Sequence, residues 1–86
     1  MEKRNEAATV LYEKALALAK KAETAEEVEA LTAAAYAYMN LSSLRGIADK
    51  DVFYDAVIRF ADKAQTADDM KLLDALTSCV RELLFI

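Results

Sequence analysis

No histidine and no proline occur among the 86 residues, and glycine and cysteine occur once each, as Gly46 and Cys79. Each scarcity removes a class of chemistry. Without histidine there is no zinc site of the usual kind, no Ser-His-Asp arrangement and no Glu-x-x-His pair of a di-iron bundle. A single thiol excludes all-cysteine metal sites and any intramolecular disulfide, and a reducing, cytoplasmic setting is expected. An isolated glycine leaves no glycine-rich loop to cradle a phosphate. The remaining acidic pairs, Glu26 with Glu27, Asp68 with Asp69 and Asp49 with Asp51, fall at expected helix starts, where capping and the helix dipole account for them. The reading is therefore of a non-enzymatic chain with no cofactor, no metal and no small-molecule substrate. Cys79, on a helix flank with Leu72, Ala75 and Leu76, is read as a buried, inert thiol.

Also missing are an excess of positive charge and a long apolar run. Eleven basic and 15 acidic residues are interspersed, for a net charge of −4. That balance gives no electrostatic reason to approach a phosphate backbone or an anionic membrane, so no nucleic acid and no membrane is expected as a partner. The first residues, MEKRNEAATV, carry charges without the apolar core of a signal peptide, and nothing approaches the roughly 18 to 20 apolar residues that span a bilayer.

What is present is alanine, periodicity and duplication. Alanine is the commonest residue, which with so little glycine and proline describes an all-α chain of helices joined by short turns. Shifting the chain by 42 positions lays the segment from Leu11 over that from Phe53. Identities fall at Tyr12/Tyr54, Ala19/Ala61, Lys21/Lys63, Ala22/Ala64, Thr24/Thr66, Leu31/Leu73 and Leu41/Leu83. Each copy is one helical hairpin, residues 1–45 and 49–86 of a single domain 1–86. Thr24-Ala-Glu-Glu27 is a capping box, repeated with a shorter acid as Thr66-Ala-Asp-Asp69. Helices are predicted near 2–22, 25–45, 50–64 and 67–85, with Gly46 ending the second and Asp49 capping the third. The 42-residue, two-helix period resembles that of HEAT and armadillo repeats. Two repeats are fewer than the three that an open solenoid usually needs. A duplicated helical hairpin forming a compact antiparallel four-helix arrangement, or a dimer, is expected.

Helical spacing assigns faces. In the second helix Glu29, Thr32, Tyr36, Asn40 and Ser43 form a narrow wetted stripe, and nearly everything else is apolar, so this helix is expected to touch partners on two sides. Ala30, Ala33 and Ala37 are read as a flank of close backbone approach, and Leu31, Tyr38, Val28 and Met39 as the wider core. In the fourth helix Lys71, Asp74, Ser78 and Glu82 repeat the stripe, with Met70, Leu73, Leu76, Val80 and Leu83 buried. The first and third helices carry matching seams, Leu11, Ala15, Leu18 and Ala22 against Phe53, Val57, Phe60 and Ala64. Each also has an apolar shoulder, Tyr12 with Leu16 and Tyr54 with Ile58.

The surplus apolar surface points to a protein-interaction module. The candidate interface comprises Tyr12, Leu16, Tyr36, Tyr54, Ile58, Phe85 and Ile86, with self-association as a homodimer the leading expectation for the surface as a whole. For the two shoulders alone, packing of hairpin against hairpin within one chain is the preferred reading, and for Phe85 and Ile86 fraying or folding back onto the bundle stands beside a contact with a partner. Two alternatives stand beside it. One is a small acidic inhibitor or adaptor that blocks another protein, in the extreme as a nucleic-acid mimic. The other, least favoured, is an enzyme using carboxylates with Tyr12 or Tyr54, for which no convergent constellation is present.

Overall fold

A computed structural model describes residues 2–42 and 47–84. It contains four helices, α1 (Glu2–Lys21), α2 (Ala25–Leu41), α3 (Lys50–Lys63) and α4 (Ala67–Leu84), and no strand among the described residues. Both capping boxes form. The Glu27 N–H donates to Thr24 Oγ1 at 3.1 Å, and Glu27 Oε1 accepts from the N–H groups of Glu23 and Thr24, each at 3.1 Å. At α4 the Asp69 N–H donates to Thr66 Oγ1 at 3.0 Å, and Asp69 Oδ2 accepts from Gln65 and Thr66. Backbone N–H groups aimed at these carboxylates hold Glu27 and Asp69 below the usual acid range.

Two ends differ from expectation. Helix α2 stops at Leu41, four residues short of the predicted end, because Ser42 turns extended (φ −118°, ψ 137°) while its N–H still reaches the Tyr38 carbonyl at 2.9 Å. The freed Leu41 carbonyl is taken by Arg4 Nε of α1 at 2.8 Å, a cap supplied from the antiparallel neighbour. The expected stop at Gly46, with Ser43, Leu44 and Arg45, lies outside the described residues. Asp49 occupies the N-cap position of α3, but its carboxylate makes no capping bond. It accepts instead from the Tyr12 hydroxyl.

The helices pack as a two-by-two array. α1 lies against α2 and α3, and α4 against α2 and α3. The two short dimensions of the molecule, 23 and 18 Å, each correspond to two helix diameters of about 10 Å. Within a hairpin the helices are antiparallel, as the short turns require. Between hairpins, equivalent helices run side by side in the same direction. Along α1 and the turn that follows it, Tyr12 meets Asp49, Ala19 and Ala22 meet Arg59, and Glu23 pairs with Lys63, so partner numbers rise together. Across α2 and α4, Cys79 Sγ donates weakly to the Thr32 carbonyl at 3.9 Å, and Glu82 acts electrostatically on Tyr36. The second hairpin is thus stacked flat on the first, and the consecutive helices α2 and α3 occupy a diagonal.

The core contains Val28, Leu31, Phe53, Leu76, Cys79 and Leu83 as its largest fully buried side chains, the carbon side chains each contributing roughly 1.5–3 kcal/mol by leaving water. Helix α2 touches α1 and α4, so its broad apolar arc does meet two partners. The placement of flanks departs from the sequence reading on both α2 and α4. Thr32 is buried, since its hydroxyl is satisfied by the Val28 carbonyl (2.7 Å) and the Glu29 carbonyl (3.0 Å) of its own helix and needs no water. Ala30 and Ala33 are exposed, and no helix covers them closely. Alanine exposes little apolar area and favours the helix intrinsically, so it tolerates either environment. Met70, assigned to the core of α4, is 49% exposed. Ala75, placed beside Cys79, also faces solvent.

Candidate protein-interaction face

The seven residues singled out in the sequence separate into three groups. Tyr12 and Leu16 are half-buried and packed against the core. The Tyr12 ring lies 5.3 Å from that of Tyr38 at an interplanar angle of 55°, a tilted pair, while its hydroxyl donates to Asp49. Burial first, and then the Asp49 carboxylate, drive its pKa far above the ordinary tyrosine value. Tyr54 and Ile58, the equivalents of Tyr12 and Leu16 on α3, are 50% and 64% exposed. Tyr36 is exposed on α2, its hydroxyl pKa raised by partial burial and by the nearby Cys79 and Glu82. Phe85 and Ile86 lie outside the described residues.

The difference between the two tyrosine shoulders extends over a whole face. Positions that are covered in the first hairpin are open at their equivalents 42 residues on: Tyr12 and Leu16 against Tyr54 and Ile58, and fully buried Val28 against Met70. Thr32 and Ala35 are buried, whereas Asp74 and Thr77 are exposed. The reverse holds on the opposite side of the stack. Phe53, Ala56, Phe60, Leu76 and Cys79 are buried, whereas Leu11, Lys14, Leu18, Ala34 and Ala37 are half-buried or exposed. One face of hairpin one receives hairpin two, and the corresponding face of hairpin two receives nothing from the described residues of its own chain.

That open face carries a groove of about 270 Å³ lined by Tyr54, Val57, Thr77, Val80, Arg81 and Leu84. These residues are the repeat equivalents of Tyr12, Ala15, Ala35, Tyr38, Met39 and Ser42. The groove exists because Val80 stands where hairpin one has Tyr38. In hairpin one the Tyr38 ring fills this space against Tyr12; in hairpin two the smaller valine leaves it vacant beside Tyr54. At 270 Å³ it falls below the roughly 300–1,000 Å³ of pockets that enclose small molecules.

Residues that act at the covered interface were less visible in the sequence. Arg59 Nη2 and Nε donate to the Ala19 and Ala22 carbonyls at 2.5 and 3.2 Å, closing the end of α1. Lys63 pairs with Glu23, an exposed bridge that sets geometry more than stability. The available signal for Arg59 was its departure from the repeat, since its equivalent is Ala17.

Two observations bear on reactive chemistry in the described residues. No group of three His, Cys, Asp or Glu side chains is placed to hold a metal ion among them. Burial pushes the Cys79 thiol up to about 12, so it is not a thiolate at neutral pH. No helix of the described residues is long and apolar enough to cross a membrane. Comparison with protein-family models, with curated proteins and with solved structures finds no match.

Proposed function

We propose that the chain is a non-enzymatic protein-interaction module that self-associates through the outer face of α3 and α4. The observation that carries this reading is the asymmetry between repeats: Tyr54, Ile58 and Met70 are exposed, although their equivalents Tyr12 and Leu16 are half-buried against the core and Val28 is fully buried. In a stack of repeats the terminal unit normally presents a polar outer face, because no neighbour covers it. Here that face is apolar along its centre. Single exposed apolar residues need no explanation, but several on one face around a groove mark a contact surface. A cytoplasmic setting belongs to the same proposal, supported by the lone, buried thiol.

Sedimentation equilibrium of the unmodified protein over a wide concentration range tests the reading. A mass rising above that of the 9.5 kDa chain is expected; a monomer at every concentration would remove self-association.

A further inference from the structure

Three features of the open face say what covers it. The first is the template within the chain, since the equivalent face of hairpin one is covered by a helical hairpin of the same kind. The second is the vacancy beside Tyr54, which at that position in hairpin one is filled by a tyrosine ring. The third is charge. On α3 the apolar strip of Tyr54 and Ile58 is bordered by Asp51, Asp55 and Asp62, all exposed and within one helical stripe. On α4 the opposite border of the groove carries exposed Lys71 and Arg81 interleaved with exposed Asp74 and Glu82, a mixed stripe in place of the uniformly acidic one of α3.

A head-to-tail stack, in which hairpin one of a second copy sits on this face, lacks the polar contacts that fasten the internal interface. Arg59 and Asp49 have Ala17 and Ala7 as equivalents on hairpin one, so neither bond can be repeated. Such a stack would also leave another open face and grow without closing. A pairing of the same face in both copies closes. Laying α3 on α3 would bring the three aspartates of each copy together, whereas laying α3 on α4 sets them against a stripe of balanced charge in which Lys71 and Arg81 are available as partners. Arg81 and Tyr54 line one groove and are therefore level. Going back along the antiparallel α4 brings Lys71 level with the far end of α3, near Asp62. A two-fold axis parallel to the helices preserves these levels, and it brings the Tyr54 ring of one copy to the groove of the other.

We propose that two copies of this chain pair through the outer face of hairpin two about a two-fold axis parallel to the helices, α3 of each lying over α4 of the other, with each Tyr54 ring seated in the other copy's groove. This rests on the self-association reading and specifies its geometry. The seated ring meets Tyr54, Val57, Val80 and Leu84, with the Arg81 guanidinium at the rim, an arrangement that combines aromatic packing with a cation–π contact.

Sedimentation equilibrium of designed variants, with far-UV circular dichroism to confirm that each stays helical, decides it. Ile58→Asp, at an exposed position, and Val80→Tyr, which fills the groove from within as Tyr38 does in hairpin one, are each expected to weaken dimerisation at least tenfold. Asp55→Lys with Asp62→Lys is expected to weaken it, and adding Lys71→Asp and Arg81→Asp to the same chain to restore it. Restoration is specific to α3 lying on α4, because α3 on α3 would leave the repulsion in place. An unmodified protein that dimerises while Ile58→Asp and Val80→Tyr dimerise equally well would overturn this geometry and leave self-association standing. Mass growing beyond the dimer would point to head-to-tail stacking and overturn it too. A protein that is monomeric throughout would remove both proposals.

Discussion

Tyr12 and Tyr54 occupy equivalent positions in the two repeats and have opposite environments, which makes them the most informative pair of side chains. Tyr12 donates to the Asp49 carboxylate and packs on Tyr38. Its replacement by phenylalanine removes a half-buried hydrogen bond to a charged acceptor and is expected to cost about 1–2 kcal/mol in urea unfolding. Asp49→Ala should cost a similar amount, and the double variant less than the two together, because both delete one contact. Tyr54→Phe, at an exposed position, should stay within about 0.5 kcal/mol for the monomer. The sign of the pH effect follows from the raised Tyr12 pKa. The folded state favours the neutral phenol, so its contribution is complete below the ordinary tyrosine value of 10.0 and is lost as pH rises above it. Alkaline titration of unfolding should therefore show a smaller decline for Tyr12→Phe.

At the scale of the element, the helix starts at residues 25 and 67 were legible because a capping box is a local pattern, complete within four residues. Thr24→Ala and Thr66→Ala should each cost about 1 kcal/mol by thermal or urea unfolding. Glu27 and Asp69 have folded pKa values below their usual ones, so their stabilisation is present above the ordinary carboxylate range and is lost as pH falls through the lowered values. Glu27→Gln and Asp69→Asn should flatten the acid limb of the stability profile relative to the unmodified chain. What the periodicity could not fix was the flank each helix gives to each neighbour. Helical spacing puts Thr32 in the wetted stripe with Glu29 and Tyr36, although a threonine bonded to its own helix backbone is at home in a core. Ala30 and Ala33 were read as packed because they are apolar, and Met70 likewise, whereas their exposure depends on where the other hairpin lies. The early end of α2 at Leu41 depends on Arg4, 37 residues away, and no local signal announces it.

At the scale of the molecule, duplication was plain in the sequence, but the manner of stacking was not. The parallel register of α1 with α3 is fastened by Arg59, which has no counterpart in the first repeat. Arg59→Ala should destabilise the fold by about 1–3 kcal/mol through two unpaired carbonyls and lost packing of the side-chain stem. Arg59→Lys should recover little of that loss, because an ammonium cannot reproduce the fork that spans two acceptors. Of the candidate interface, Tyr54 and Ile58 acquire their meaning only from the register, which leaves them on an outer face of the stack that no other described residue covers. The most direct test of that claim is side-chain nuclear magnetic resonance followed on dilution. The Tyr54 ring and the Ile58 and Met70 methyls should shift with concentration while Val10, Leu11 and Leu18, on the opposite face, stay unchanged. Invariant signals at Tyr54, Ile58 and Met70, or changes confined to Val10, Leu11 and Leu18, would contradict it.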